Sequence, residues 1–128
     1  MKILLATDES LLAELLAFRL ELLGHFVETR ATAAQLFSAL QDSDYALAII
    51  DTVLPDANIR EVLNKIRSRW SKNHLPILVI SMDQSLELVE QVFRCGADDY
   101  LLAPFDPQAM QTKLDRLLRI QKLERVLN

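Results

Sequence analysis

Short apolar runs alternate along the chain with longer stretches whose apolar residues recur every three or four positions, a pattern that predicts β-α-β units around a parallel sheet. Ile3-Leu4-Leu5-Ala6 reads as a strand covered on both faces, because such strands are continuously apolar, and Thr7-Asp8 turns the chain. Ser10 is expected to cap the first helix. Leu12, Leu15, Leu16, Leu20 and Leu23 are expected to lay one stripe on the sheet, with Gly24 at the C-terminal stop. Residues 25–30 return as a second strand. Ala33, Leu36, Phe37 and Leu40 form the next helical face, and the polar turn 41–44 leads to a strand over 45–50, expected to be central. Ile59, Val62, Leu63, Ile66 and Trp70 repeat at helical spacing, and Pro76 opens a strand over 77–80. A fourth helix over 85–94 stops at Gly96, a fifth strand covers 99–102, and a last helix begins at Pro107, where proline is tolerated in the first turn. Five strands and five helices in this order predict an α/β fold with a doubly wound, five-stranded parallel sheet.

Composition narrows the classes without changing that picture. With 128 residues, 51% of them hydrophobic and 25% charged, the chain fits one globular domain with a real core. The net charge of -4 gives no overall field for holding nucleic acid or an anionic membrane surface, so no direct nucleic-acid or membrane partner is expected. Cys95 has no second cysteine to pair with, which suits a reducing, cytoplasmic setting and excludes a cysteine metal cluster. The leucine-rich stretch 11–23 contains Glu14, Arg19 and Glu21, which rules it out as a membrane span.

Right-handed crossovers bring the loops after the strands to one edge of such a sheet, and that edge is where open α/β sheets bind their ligands. The loops after Ala6, Ile50, Ile80 and Leu102 carry Asp8 and Glu9, then Asp51, then Ser81, then Ala103-Pro104. Two carboxylates and a hydroxyl thus converge. Oxygen ligands of this kind suit Mg²⁺, and an aspartate beside that ion can attack a phosphoryl group because the metal offsets the charge repulsion. Asp51 is the candidate nucleophile. Standing alone at a strand end it would be read as a helix N-cap; the company of Asp8 and Ser81 favours the phosphate chemistry.

Four motifs carry a resemblance to the receiver domains of two-component response regulators over nearly the full length. They are Lys2-Ile3-Leu4-Leu5 leading to Asp8-Glu9; Ile49-Ile50-Asp51 with Leu54-Pro55-Asp56; Pro76-Ile77-Leu78-Val79-Ile80-Ser81; and Gly96-Ala97-Asp98-Asp99-Tyr100-Leu101 with Pro104-Phe105. Each is weak alone, but their order and spacing together are specific. The resemblance implies a flavodoxin-like sheet with strand order 2-1-3-4-5. It implies Asp51 as phosphoacceptor, and Asp8, Asp51 and the carbonyl of Val53 as Mg²⁺ ligands. Ser81 would be the switch hydroxyl and Tyr100 the aromatic that changes rotamer with it, with Thr52 and Met82 also lining the phosphate position. It further implies a histidine kinase or phosphotransfer protein upstream, an output domain beyond the last helix, and homodimerisation through the fifth strand and its flanking helices. There Arg94, Lys113 and Arg116 would face the acids Asp98 and Asp99, themselves read as a solvated strand start.

The chain departs from the family in four places. Thr7 stands where a second first-loop acid is usual, and Ala103 stands where the family has a lysine before its proline. A lysine ammonium about 4 Å from a phosphoryl oxygen near a surface interacts by roughly 4 kcal/mol before desolvation, so its loss weakens the hold on the phosphorylated state. In formal charge the losses cancel, since three acids and a lysine sum to the same value as Asp8 with Asp51. Met82 replaces a small residue beside the phosphate and is expected to hinder access to Asp51. Ile59 replaces a glycine and is expected to extend the third helix.

Against the phosphorylated switch stands a phosphorylation-independent pseudo-receiver, a binding or dimerisation module using the same face. An aspartate-nucleophile phosphatase would need a general acid two residues after Asp51, where Val53 stands, so no enzyme is expected. A flavin-binding role is disfavoured because Thr7-Asp8-Glu9-Ser10 is too acidic to cradle a phosphate. Ser81 as a loop cap and Tyr100 as a half-buried strand aromatic are the plainer alternatives for those residues, and His25 and His74 receive no role. In the last helix Met110, Leu114, Leu117 and Leu118 face the sheet, while Ile120, Leu123 and Leu127 begin a second seam and Arg119, Lys122 and Arg125 a charged face. The expected division is a receiver domain over 1–118 and a helical extension over 119–128.

Overall fold

Strands buried on both faces need apolar side chains at successive positions, and the three inner apolar runs supply them. A computed structural model describes the backbone of residues 1–127 and the side chains of residues 1–119 and Leu123. The element order is β1 (Lys2–Ala6), α1 (Ser10–Leu22), β2 (Phe26–Arg30), α2 (Ala33–Asp42), β3 (Leu47–Asp51), β4 (Val53–Leu54), β5 (Ala57–Asn58), α3 (Ile59–Arg67), β6 (Ile77–Ser81), α4 (Leu86–Arg94), β7 (Asp99–Leu102) and α5 (Pro107–Leu127). The main sheet is parallel throughout, in the order β2-β1-β3-β6-β7, which is the expected 2-1-3-4-5.

Alternate residues of the three inner strands enter two separate cores. Leu4, Ala6, Ala48, Ile50, Ile77 and Val79 pack with α2, α3 and α4. Ile3, Leu5, Leu47, Ile49, Leu78 and Ile80 pack on the other face with Leu16 and Leu20 of α1 and Met110, Leu114, Leu117 and Leu118 of α5. Full burial of each large aliphatic side chain contributes about 1.5–3 kcal/mol relative to exposure, so both layers of helices are held mainly by these faces.

Several boundaries differ from the sequence reading, each for a local reason. The short antiparallel hairpin β4–β5, with Val53 opposite Asn58, was not expected, because two-residue strands leave no periodicity to read. The central strand runs over Leu47–Asp51 rather than 45–50, and Ser81 likewise closes β6, so both polar residues belong to the sheet and not to the loops. Ser10 does not cap α1; Glu9 holds the cap position without a side-chain bond, its amide taken instead by the Thr7 hydroxyl at 3.2 Å. Of the expected α1 stripe, Leu16 and Leu20 are buried, but Leu15 is 48% and Leu23 41% exposed. A helix apolar on nearly every side gives its spacing no phase. Ile59 is the first residue of α3, capped by Asn58, and Trp70 lies beyond that helix, packed against the core.

Asp98 and Asp99 are not a solvated strand start. The Arg67 guanidinium donates to the carbonyls of Gly96 at 2.8 Å and Leu75 at 2.7 Å and to Asp98 Oδ2 at 2.9 Å, an oxygen that also accepts the Ile77 amide. Lys113 and Arg116 both bind Asp99 within the chain, at 2.9 and 2.8 Å, whereas Arg94 makes no ion pair with either acid. Among the described residues no helix is long and apolar enough to cross a membrane. The seam read at Ile120 and Leu127, and the charged face at Lys122 and Arg125, lie outside the described side chains; Leu123 is exposed.

Candidate functional site

Three polar side chains are buried among the described residues, Thr7, Asp51 and Ser81, and all three stand at the carboxyl ends of neighbouring strands. Register explains their meeting. Ala6 lies opposite Ile50 and Asp51 opposite Ile80, so the residue after β1 falls beside the last residue of β3, and Ser81 extends one place further on β6. Interior burial of polar groups costs free energy unless they are hydrogen-bonded, and each of the three is.

Thr7 Oγ1 donates to Asp51 Oδ2 at 2.7 Å, and the amide of Val53 donates to Oδ1 at 3.1 Å. The Glu9 amide occupies a lone pair of the Thr7 hydroxyl, which leaves its proton committed to Asp51. Both oxygens of the carboxylate are therefore held by the chain. Beside them, Thr52 Oγ1 donates to Ser81 Oγ at 2.8 Å and the Asp83 amide donates to the same oxygen at 3.0 Å. A hydroxyl that accepts twice keeps its own proton for an outside acceptor.

The loop after β6 is tied to β7 through the Tyr100 hydroxyl, which donates to the Asp83 carbonyl. Tyr100 is thus buried against the Ser81 loop rather than turned to solvent. The Ala103 amide donates to the Ser81 carbonyl at 2.7 Å, and the Ala103-Pro104 peptide is cis. Met82 does not cover Asp51 as expected: its side chain is 79% exposed. Asp8 is exposed in the loop directly after Thr7, and Val53 begins the hairpin that follows Asp51. No three residues among His, Cys, Asp and Glu gather into a metal-binding group among the described residues. The Asp51 carboxylate and, in the adjoining loop, the exposed Asp8 carboxylate are hard oxygen donors, the chemistry that Mg²⁺ takes from one or two carboxylates while it keeps several waters.

Two contributors escaped the sequence reading. Thr7 registered only as a missing acid, although a hydroxyl next in register to a buried aspartate was the available signal. Asp56 registered only as part of a motif. Its carboxylate accepts the amides of Ala33 at 2.7 Å and Ala34 at 3.0 Å, fastening the hairpin after Asp51 to the start of α2. Those amides hold the Asp56 carboxyl below its ordinary range.

The response regulator receiver domain family matches residues 3–115. Transcriptional regulatory protein BasR of Escherichia coli is 31% identical over 119 residues, covering 93% of this chain and 53% of BasR. Two-component response regulator PhoP of Pseudomonas aeruginosa is 30% identical over 119 residues, covering 93% and 52% respectively. The chain therefore spans about half the length of the curated relatives it matches. Among solved structures, a response regulator receiver domain protein from Methanospirillum hungatei superposes with a TM-score of 0.87 at 27% identity, over 96% of this chain and 97% of that one. A two-component response regulator from Clostridium difficile shares the fold at a TM-score of 0.87 and 21% identity, over 93% and 96%. A sheet in the order 2-1-3-4-5, an aspartate buried at its carboxyl edge and a family match over most of the length lead to one conclusion: this chain belongs to the response regulator receiver domains of two-component signal transduction.

Proposed function

We propose that Asp51 is the phosphoacceptor of this receiver domain and that Ser81, with Thr52 and Tyr100, reads its charge. The observation that supports this most is the meeting of the buried Thr7, Asp51 and Ser81 at one sheet edge, with both Asp51 oxygens oriented and the Ser81 proton free to donate. A carboxylate oxygen of Asp51 forms the bond to phosphorus as the donor's bond to phosphorus breaks and the donor leaves with that electron pair. Mg²⁺, held by Asp8, Asp51 and the Val53 carbonyl, would neutralise charge that otherwise repels the incoming phosphoryl group. A new anion next to Ser81 accepts a hydrogen bond from its hydroxyl, and the pull on that hydroxyl reaches Asp83, whose carbonyl anchors Tyr100.

The donor in this reading is a histidine kinase or phosphotransfer protein. Residues 1–118 act as the receiver, and residues 119–128 begin a helical connection toward an output domain. Incubation with Mg²⁺ and a small acyl phosphate, followed by intact-mass measurement, tests the proposal. One phosphoryl adduct that disappears in Asp51→Asn is expected. An unmodified mass under every donor concentration would establish the phosphorylation-independent receiver instead.

A further inference from the structure

Helix α1 has a second apolar face besides the one that the sheet covers. Leu11, Leu15, Phe18 and Leu22 are 76%, 48%, 61% and 71% exposed, on the side opposite the buried Leu16 and Leu20. Their spacing of four, three and four is the seam of a two-stranded coiled coil, running about 16 Å along the helix. Scattered surface leucines need no explanation, but four in one unbroken row mark a contact surface.

The charges beside the row indicate what covers it. Glu14 and Glu21 flank it on one side and Arg19 on the other, and neither Glu14 nor Arg19 makes an ion pair among the described residues. In a parallel pair of such helices, a residue on the first flank meets the residue five places later on the second flank of the other helix. Glu14 then meets the partner's Arg19, and symmetry forms the same pair twice. An antiparallel pair would set Glu14 and Glu21 against the same acids of the second copy, which repels. We infer that two copies of this chain associate through α1 in parallel about a two-fold axis, with Leu11, Leu15, Phe18 and Leu22 as the seam. The seam has only about three turns, so the association is a weak, concentration-dependent one.

Sedimentation equilibrium of the unphosphorylated full chain over a wide concentration range tests this, independently of any phosphate chemistry at Asp51. The weight-average mass is expected to climb from 14.6 kDa toward twice that value. Leu15→Glu and Phe18→Glu, both at exposed positions, should keep the chain monomeric with an unchanged circular dichroism spectrum. Glu14→Arg and Arg19→Glu should each weaken association by about tenfold, and the double exchange should restore it. A monomer at every concentration overturns the inference, as does a dimer indifferent to Leu15→Glu or a charge exchange that fails to rescue. Capture of a foreign helical peptide on this face by a chain that itself stays monomeric would equally overturn it.

Discussion

The Thr7 hydroxyl and the Asp51 carboxylate are 2.7 Å apart, joined across neighbouring strands by a hydrogen bond that is closed to solvent. A neutral donor therefore sits where most receivers place a second acid. It steadies Asp51 without a metal, and it takes one negative charge away from the site. Thr7→Val keeps the shape and removes the donor, and should cost about 1–3 kcal/mol in urea denaturation because Asp51 stays buried with one partner fewer. Thr7→Asp should lower stability without Mg²⁺ and raise Mg²⁺ affinity about tenfold or more, followed by metal titration of the chain's amide spectra. Equal Mg²⁺ affinity in both proteins would refute this account of Thr7.

Ala103→Lys tests the other departure. The amide of residue 103 already donates to Ser81, so the backbone is placed for a side chain at the same sheet edge. An ammonium within about 4 Å of a phosphoryl oxygen is worth roughly 4 kcal/mol before desolvation. The phosphorylated fraction at a fixed acyl phosphate concentration should rise severalfold, read by intact mass; no change would show that the lysine's absence is immaterial here.

Arg67 joins the ends of α3, β6 and β7. Its side chain is 14% exposed and that of Asp98 18%, and burial pulls the Arg67 pKa down while Asp98 holds it up. Arg67→Leu leaves Asp98 and the carbonyls of Trp70, Leu75 and Gly96 without their cation, and should destabilise the fold by about 3 kcal/mol in denaturant titration. Gly96→Ala acts on the same clamp from the other side. Residue 96 has φ +109°, and an added Cβ would lie 2.6 Å from Arg67 Cγ. A cost of about 2 kcal/mol or more is expected, partly relieved in an Arg67→Ala background, which removes the Cγ, Cδ and Nε that the new Cβ would meet.

Stability should fall at both ends of the pH scale for identifiable reasons. The Asp56 carboxyl is held below its ordinary value of 3.8 by the Ala33 and then the Ala34 amides, so its stabilising effect is full above that value and is lost as pH falls through the lowered one. Asp56→Asn should flatten the acid limb of stability against pH. Tyr45 is pushed up from 10.0 to about 12, first by burial and then by the Glu28 carboxylate that accepts its hydroxyl at 2.6 Å. Its contribution is full below pH 10 and is lost as pH rises toward 12, so Tyr45→Phe should flatten the alkaline limb. Chemical denaturation at a series of pH values measures both; unchanged limbs would count against these assignments.

The α/β class, the five strands of the main sheet and the carboxyl-edge positions of Asp51 and Ser81 were all legible in the sequence. A parallel strand covered on both faces must be apolar throughout, as 47–50 and 77–80 are, and polar residues can join it only at its ends. The strand order and the identity of the family were legible through the four motifs. Contacts between residues distant in sequence were not. That Thr7 serves Asp51, that Asp56 caps α2 and that Arg67 gathers three elements depend on register and side-chain reach, which no local pattern encodes. The phase of α1 was settled in the same way. With leucines all around that helix, only the sheet beneath it decided that Leu16 and Leu20 would be covered and that Leu11, Leu15, Phe18 and Leu22 would face water.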